Sequence, residues 1–225
     1  LDAPFVIDQG PGLGRWRPSN YSKKFYGASP LRLGIEKSRN LMTVRLAQNI
    51  GMETVVDYAK RFNLVNNLEP MLSMSLGSGE TTLMRMTTAY AMLVNGGKRI
   101  QPTLIDKIQD RTGATIFRHD GRACESCKEA EWDAEQIPQL PDTRDQIADP
   151  KTAYQLVSML EGVVKRGTGR RISTIGKPLA GKTGTTNESR DTWFVGFSPD
   201  LAVGVYIGYD RPRPMGRRET GSSVA

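Results

Sequence analysis

The chain is poor in histidine and cysteine and has no long apolar run. One histidine in 225 residues leaves little room for a His-rich metal site or a Ser-His-Asp triad. Two cysteines exclude a disulfide scaffold. Nowhere do 18 apolar residues follow one another, so no stretch reads as a membrane-spanning helix. No basic segment followed by an apolar one reads as a signal peptide. What is present is ordinary globular composition, 38% hydrophobic and 24% charged, with enough chain to bury a core in one large domain or two small ones. Lys and Arg exceed Asp and Glu by 31 to 24, giving +7. Most of these charges are interleaved, as in Asp106-Lys107 and Arg118-His119-Asp120, which is the pattern of a solvated surface and not of a nucleic-acid site. The densest basic cluster is Arg211, Arg213, Arg217 and Arg218, set among Pro212, Pro214 and Gly216. It reads as a flexible loop that an anionic polymer or a membrane surface could meet.

Residues 1–30 are rich in Gly, Pro and polar groups and read as loop. The spacing of Leu41, Val44 and Ala47 predicts a first helix over 40–50, stopped at Gly51, and a second follows over 52–62 as an αα-hairpin. Leu83, Met86, Tyr90 and Leu93 predict a third over 83–94, capped by Thr81 or Thr82 and ended by Asn95-Gly96-Gly97. A hairpin is expected over 103–118, turning at Asp110-Arg111-Thr112-Gly113. Residues 119–148 are polar, with little periodicity, and read as an insertion. Asp149 and Pro150 open a fourth helix over 150–165. Three strands are expected over 178–183, 192–197 and 202–209, joined as an antiparallel meander. Helices followed by strands make the fold class α+β.

Two short motifs carry chemistry together that neither carries alone. Ser38-Arg39-Asn40 stands at the entrance to the first predicted helix, where a Ser or Asn is commonly just a cap. Lys182-Thr183-Gly184-Thr185-Thr186 ends the first strand of the meander. An ammonium, hydroxyls and an unobstructed glycine suit a peptide laid along the strand and ending in a carboxylate. Ser-x-Asn adds a proton-relaying hydroxyl and an amide that can hold a peptide group.

With these residues the chain resembles the transpeptidase domain of class A penicillin-binding proteins, 1A type. Trp16-Arg17-Pro18-Ser19-Asn20-Tyr21 precedes the Ser-x-Asn element as in that family. Arg166-Gly167-Thr168-Gly169 precedes the Lys-Thr-Gly element, and Asp191-Thr192-Trp193-Phe194 with Gly208-Tyr209-Asp210 follow it. The resemblance implies a partial transpeptidase fold, with a helical subdomain and three strands of the antiparallel sheet. It implies that Ser38 relays protons, Asn40 holds the substrate amide, and Lys182 hydrogen-bonds Ser38 and supplies positive potential. Thr183 and Thr185 would bind the substrate carboxylate. Gly184 and Thr186 belong to the same binding strand, and the Thr185 N–H would be half of an oxyanion hole.

The family's nucleophile is a Ser-x-x-Lys, and no serine in this chain is followed by lysine at the third position. The expectation is a chain truncated at both ends and inactive alone, the rival being a natural pseudo-enzyme. The implied reaction of the whole protein is acyl transfer from a peptidoglycan stem peptide ending in D-Ala-D-Ala, with β-lactams acylating the same serine. No cofactor, metal or nucleic acid is implied. The resemblance places the protein at the periplasmic face of the bacterial inner membrane, through an N-terminal anchor outside this chain. The other readings are a non-catalytic penicillin- or peptidoglycan-sensing or scaffold module, and a D,D-carboxypeptidase or β-lactamase relative.

A structural zinc needs four ligands, and Cys124, Cys127 and the nearby His119 offer only three, which weighs against a metal. A periplasmic setting, which the resemblance implies, also allows a local disulfide. Trp193 and Phe194 read as strand packing, and Asp191 as ordering the loop after the Lys-Thr-Gly strand. Trp16 and Tyr21 edge the cleft or staple the loop.

Overall fold

A computed structural model describes residues 1–8, 12, 14–122, 140–216 and 219–225. A two-residue ribbon, β1 (Ile7–Asp8) with β2 (Arg15–Trp16), opens the chain. Helices α1 (Leu31–Glu36), α2 (Asn40–Ile50), α3 (Met52–Arg61) and α4 (Leu83–Val94) follow. A hairpin of β3 (Lys107–Gln109) and β4 (Thr115–Arg118) precedes the long helix α5 (Pro150–Arg166). The antiparallel sheet comes last, β5 (Ala180–Thr185), β6 (Asp191–Phe197) and β7 (Ala202–Gly208), in that spatial order.

Local chemistry sets most boundaries. Gly51 takes φ 84°, a conformation that favours glycine, and so ends α2 and starts α3 with no further linker. The Thr82 hydroxyl accepts from the Arg85 N–H at 3.2 Å, and the Asp149 carboxylate accepts from the Thr152 N–H at 3.0 Å. Both are N-caps, each satisfying a donor the helix cannot. Asp149→Ala should therefore lower stability by about 1 kcal/mol in a urea melt. In the hairpin, Asp110 Oδ1 accepts from Thr112 and Ala114 N–H groups, and Gly113 adopts φ 88°. The Thr112 side chain and these amides hold the Asp110 carboxyl below its usual range.

The N-terminal region is not all loop, because Trp16 packs on the cluster of Phe5, Leu41 and Val44 and pulls the ribbon onto α2. Its role is thus the staple, while Tyr21 stays exposed at the cleft rim. The helix expected first is the second, since the six-residue α1 precedes it. The β3–β4 hairpin is shorter than its apolar pattern, with Leu104 left 90% exposed before the pairing begins. The returning residues of the polar insertion are tied down. Gln146 bridges Lys98, and the Ile147 N–H donates to the Gly97 carbonyl at 2.8 Å. Cys124, Cys127, Arg217 and Arg218 lie outside the described residues.

The second core joins helices to sheet. Leu160 of α5 packs with Ala180 and Phe197, and Ile35, Tyr90, Val157 and Ala202 close around them. Tyr90 meets Phe197 edge-on at 6.4 Å, and burial pushes its hydroxyl up to about 12. Each fully buried aliphatic here contributes roughly 1.5–3 kcal/mol. This core fixes the start of β5 against α5 and so places the strand's other end in the cleft.

Candidate active site

Five pieces of chain converge on one cleft. They are residues 19–23, the turn between α1 and α2, Thr168 just after α5, the end of β5 with the turn that follows it, and residues 214–216 with Thr220 and Ser222. The cleft has a volume of about 1010 Å³, and Ser38, Asn40, Thr168, Thr183 and Thr185 line it.

Ser38 does not cap α2. That position belongs to Arg39, which makes no side-chain cap bond. Ser38 instead adopts φ 54°, a left-handed conformation that is strained for a serine, by about 1–3 kcal/mol. Two backbone bonds hold the turn, Ser38 N–H to Ile35 and Arg39 N–H to Gly34. Arg39 supplies the third hold. Its guanidinium stacks 3.3 Å from the Tyr26 ring centroid and lies 3.8 Å from the buried Asp2 carboxylate. Asp2 in turn accepts from the Asn20 amide at 2.8 Å, and the Leu41 N–H donates back to Asn20. The residue between Ser and Asn is therefore an anchor, with the two motif side chains left on the cleft.

Lys182 meets Ser38 across the cleft. Its ammonium donates to Ser38 Oγ at 2.8 Å and to the Thr183 carbonyl at 2.9 Å. Burial pushes the Lys182 amine down to about 8. At neutral pH the group is therefore cationic but close to the point of releasing its proton, as a proton carrier requires. The Thr183 hydroxyl shares a 2.7 Å hydrogen bond with the hydroxyl of Thr168, a residue to which sequence reasoning gave no role.

Thr185 accepts from the Gly221 N–H at 3.1 Å. A Cβ on Gly221 would lie 2.2 Å from the Trp193 carbonyl and 2.5 Å from that of Gly184, so only glycine can approach the strand here. Thr186 lines the cleft, but its hydroxyl donates to the Asp191 carbonyl and accepts from the Asp191 N–H. It closes the loop between β5 and β6. Asp191 orders that loop through its backbone, while its carboxylate accepts from the Tyr206 hydroxyl at 2.8 Å. Asn40 donates to the Ser19 carbonyl at 2.9 Å, which fixes its amide at the rim. Trp193 packs in the sheet, its ring 4.9 Å from that of Tyr206. Arg213 of the basic cluster stacks on Tyr209 at 3.9 Å.

The assembled group holds an ammonium of lowered pKa touching a hydroxyl, and a row of strand hydroxyls. It also has an edge strand, since β5 pairs only with β6 among the described residues. That combination can move a proton at a bound carbonyl and align a peptide with a terminal carboxylate.

The chain as a whole is similar to known proteins. Residues 2–224 match the family model for the penicillin binding protein transpeptidase domain. Penicillin-binding protein 1A of Rickettsia bellii is 49% identical over 225 residues, 99% of this chain and 28% of that protein. The Neisseria gonorrhoeae protein of the same name is 37% identical over 228 residues, 100% of this chain and 26% of its own. The crystal structure of penicillin-binding protein 1A from Haemophilus influenzae superposes with a TM-score of 0.82 at 30% identity, covering 98% of this chain and 36% of that one. The chain thus spans little more than a quarter of the length of the curated relatives it matches. On these matches, and on an α+β fold shared with the solved structure, the chain belongs to the penicillin-binding protein transpeptidase domain family.

Proposed function

We propose that the protein containing this chain is a serine-type peptidoglycan D,D-transpeptidase. The observation that carries the reading is the 2.8 Å contact of Lys182 with Ser38, in one cleft with Thr183 and Thr185. The substrate is a stem peptide ending in D-Ala-D-Ala, laid along β5 with its carboxylate toward the Thr183 and Thr185 hydroxyls. The acyl nucleophile is a serine outside these 225 residues, since none of the serines here carries the Ser-x-x-Lys pattern. Its oxygen attacks the penultimate D-Ala carbonyl, and the Thr185 N–H faces the developing oxyanion. The peptide C–N bond breaks, and Ser38 and Lys182 pass the proton given up by the attacking serine to the departing D-Ala amine. An amine from a second stem then takes the acyl group and restores the serine. Asn40 holds the substrate's peptide group. β-Lactams enter by the same route and stay as esters.

The reading places the protein at the periplasmic face of the inner membrane, anchored through a segment outside these residues. No helix among the described residues is long and apolar enough to cross a membrane. Gly184 acts by close approach of substrate to its backbone, and Thr186 by closing the loop with its hydroxyl. The 225-residue chain alone is expected to be inactive.

The test is D-alanine release and cross-link formation by the full-length protein with a stem pentapeptide. Wild type should cross-link, and Ser38→Ala should be slower by about 10²–10⁴-fold. Equal rates would remove Ser38 from the mechanism. Penicillin binding with no cross-linking would favour a sensing module, and release without cross-linking a carboxypeptidase.

A further inference from the structure

Glu36 is a buried acid near the cleft, with a side chain 2% exposed, and the mechanism above gives it no part. It is the last residue of α1, two places before Ser38. Its carboxylate accepts both prongs of the Arg166 guanidinium, Nε at 2.9 Å on one oxygen and a terminal nitrogen on the other. Arg32 lies 3.8 Å away and is itself fixed on the Ser158 carbonyl. A fork of this kind fixes geometry as well as charge.

The room for Glu36 is made by glycines at the end of α5. A Cβ on Gly162 would stand 2.0 Å from Glu36 Oε1, and one on Gly167 would stand 2.4 Å from the Glu36 carbonyl. The same carbonyl accepts from the Thr168 N–H at 3.1 Å, and the Thr168 hydroxyl meets Thr183 at 2.7 Å. The Lys37 ammonium donates to the Arg166 carbonyl. From one buried acid, hydrogen bonds therefore run to the end of α5 and on to the Lys-Thr-Gly strand. Ser38 sits beside this clasp in a strained left-handed turn, which persists only where its surroundings hold it.

We propose that Glu36, clasped by Arg166, is a positioning residue that holds the Ser38 hydroxyl in register with Lys182 and Thr183. It acts through Ser38 and touches no substrate. Two halves of the cleft come from segments more than a hundred residues apart, and the clasp fixes their separation. Without the fork the turn relaxes toward ordinary backbone angles and Ser38 leaves Lys182. A displacement near 1 Å in such a site costs about 10²-fold in rate.

The inference rests on the transpeptidase reading. The experiment is stopped-flow acylation of the full-length protein by a fluorescent penicillin, in a double-mutant cycle of Glu36→Gln and Ser38→Ala. Glu36→Gln should lower the acylation rate constant by about 10²-fold, with the constant for the preceding non-covalent complex changed by less than about threefold. In the Ser38→Ala background the same substitution should change the rate by less than about twofold, since its effect passes through Ser38. A Glu36→Gln protein that acylates like wild type would overturn the proposal. So would an equal loss in both backgrounds, which is the mark of a merely structural role. Arg166→Lys keeps the charge, removes the fork and leaves Glu36 in place. It is read in the same cycle should Glu36→Gln not fold. A wild-type protein that takes up no penicillin would remove the transpeptidase reading and this inference together. Acylation of wild type with no effect of either clasp variant would remove the inference alone.

Discussion

Replacing Lys182 by methionine is expected to slow penicillin acylation of the full-length protein by about 10²–10⁴-fold, while making the domain more stable at pH 7. Both effects come from one group. The ammonium touches Ser38 Oγ at 2.8 Å, and burial lowers its pKa from 10.5 to about 8. Below pH 8 the folded and unfolded chains both hold the proton, and the folded state bears the full cost of a desolvated ammonium. Between pH 8 and 10.5 the unfolded chain keeps the proton and the folded one releases it, so stability rises with pH across that window. For a side chain that is still partly exposed the size is on the order of 2 kcal/mol. Methionine has a similar reach and no charge, so the variant should lack this rise and gain at pH 7 most of what Lys182 loses there. The unpaired Ser38 hydroxyl takes back about 1 kcal/mol. Urea melts of wild type and variant at pH 7 and pH 10 give the comparison. A variant less stable than wild type at pH 7, or one with the same pH dependence, would show that Lys182 is not held at a cost. Under the proposed function, such a cost fits a group that serves proton transfer and not packing.

Gly196→Val should damage the sheet severely. Gly196 pairs directly with Gly181, and the Phe194 ring lies across both. A Cβ on Gly196 would stand 2.6 Å from the ring and 2.8 Å from the Ala180 carbonyl, and one on Gly181 would stand 2.6 Å from the same ring. The ring could turn aside, but the neighbouring strand's backbone could not. The added Cβ with its two methyl groups then forces β5 and β6 apart, costing about 3 kcal/mol. For a domain of this size that is a fall of about 6–12 °C in melting temperature. Lys182 follows Gly181, so acylation should fall with it. An unchanged melting temperature for Gly196→Val would mean that the glycine pair is incidental.

Much of the frame is legible in the sequence. Helix α2 is bounded by its apolar period and by Gly51, and α5 by Asp149, Pro150 and a Val–Leu stripe. These are local signals, and local structure follows them. Helix α1 escapes notice because six residues containing Gly34 and following Pro30 are too few to show a period. The ribbon of Ile7 and Asp8 with Arg15 and Trp16 escapes because two-residue strands have no alternation. Tertiary packing, through Trp16 on Phe5, decides there.

The site divides in the same way. Ser38, Asn40, Lys182 and the strand threonines stand out as motifs because their chemistry is unusual at that spacing. The left-handed turn at Ser38 does not, since nothing in Ser-Arg-Asn demands it. It follows from Arg39 reaching Asp2 and Tyr26, both far upstream. Glu36 and Arg166 lie 130 residues apart, and each alone reads as a surface charge. Gly162 and Gly167, which make room for them, look like ordinary helix and turn glycines until the opposing carboxylate is seen. Pairing across such distances is a property of the folded chain and leaves no local pattern.

The most direct measurement is peptide mapping by mass spectrometry of the full-length protein after reaction with benzylpenicillin. A cleft in which Ser38 relays protons and Lys182 carries them predicts one covalent adduct. It should fall on a serine outside these 225 residues that has lysine three positions on, with Ser38 unmodified. An adduct on Ser38, or on any other serine of this chain, would contradict the roles assigned here.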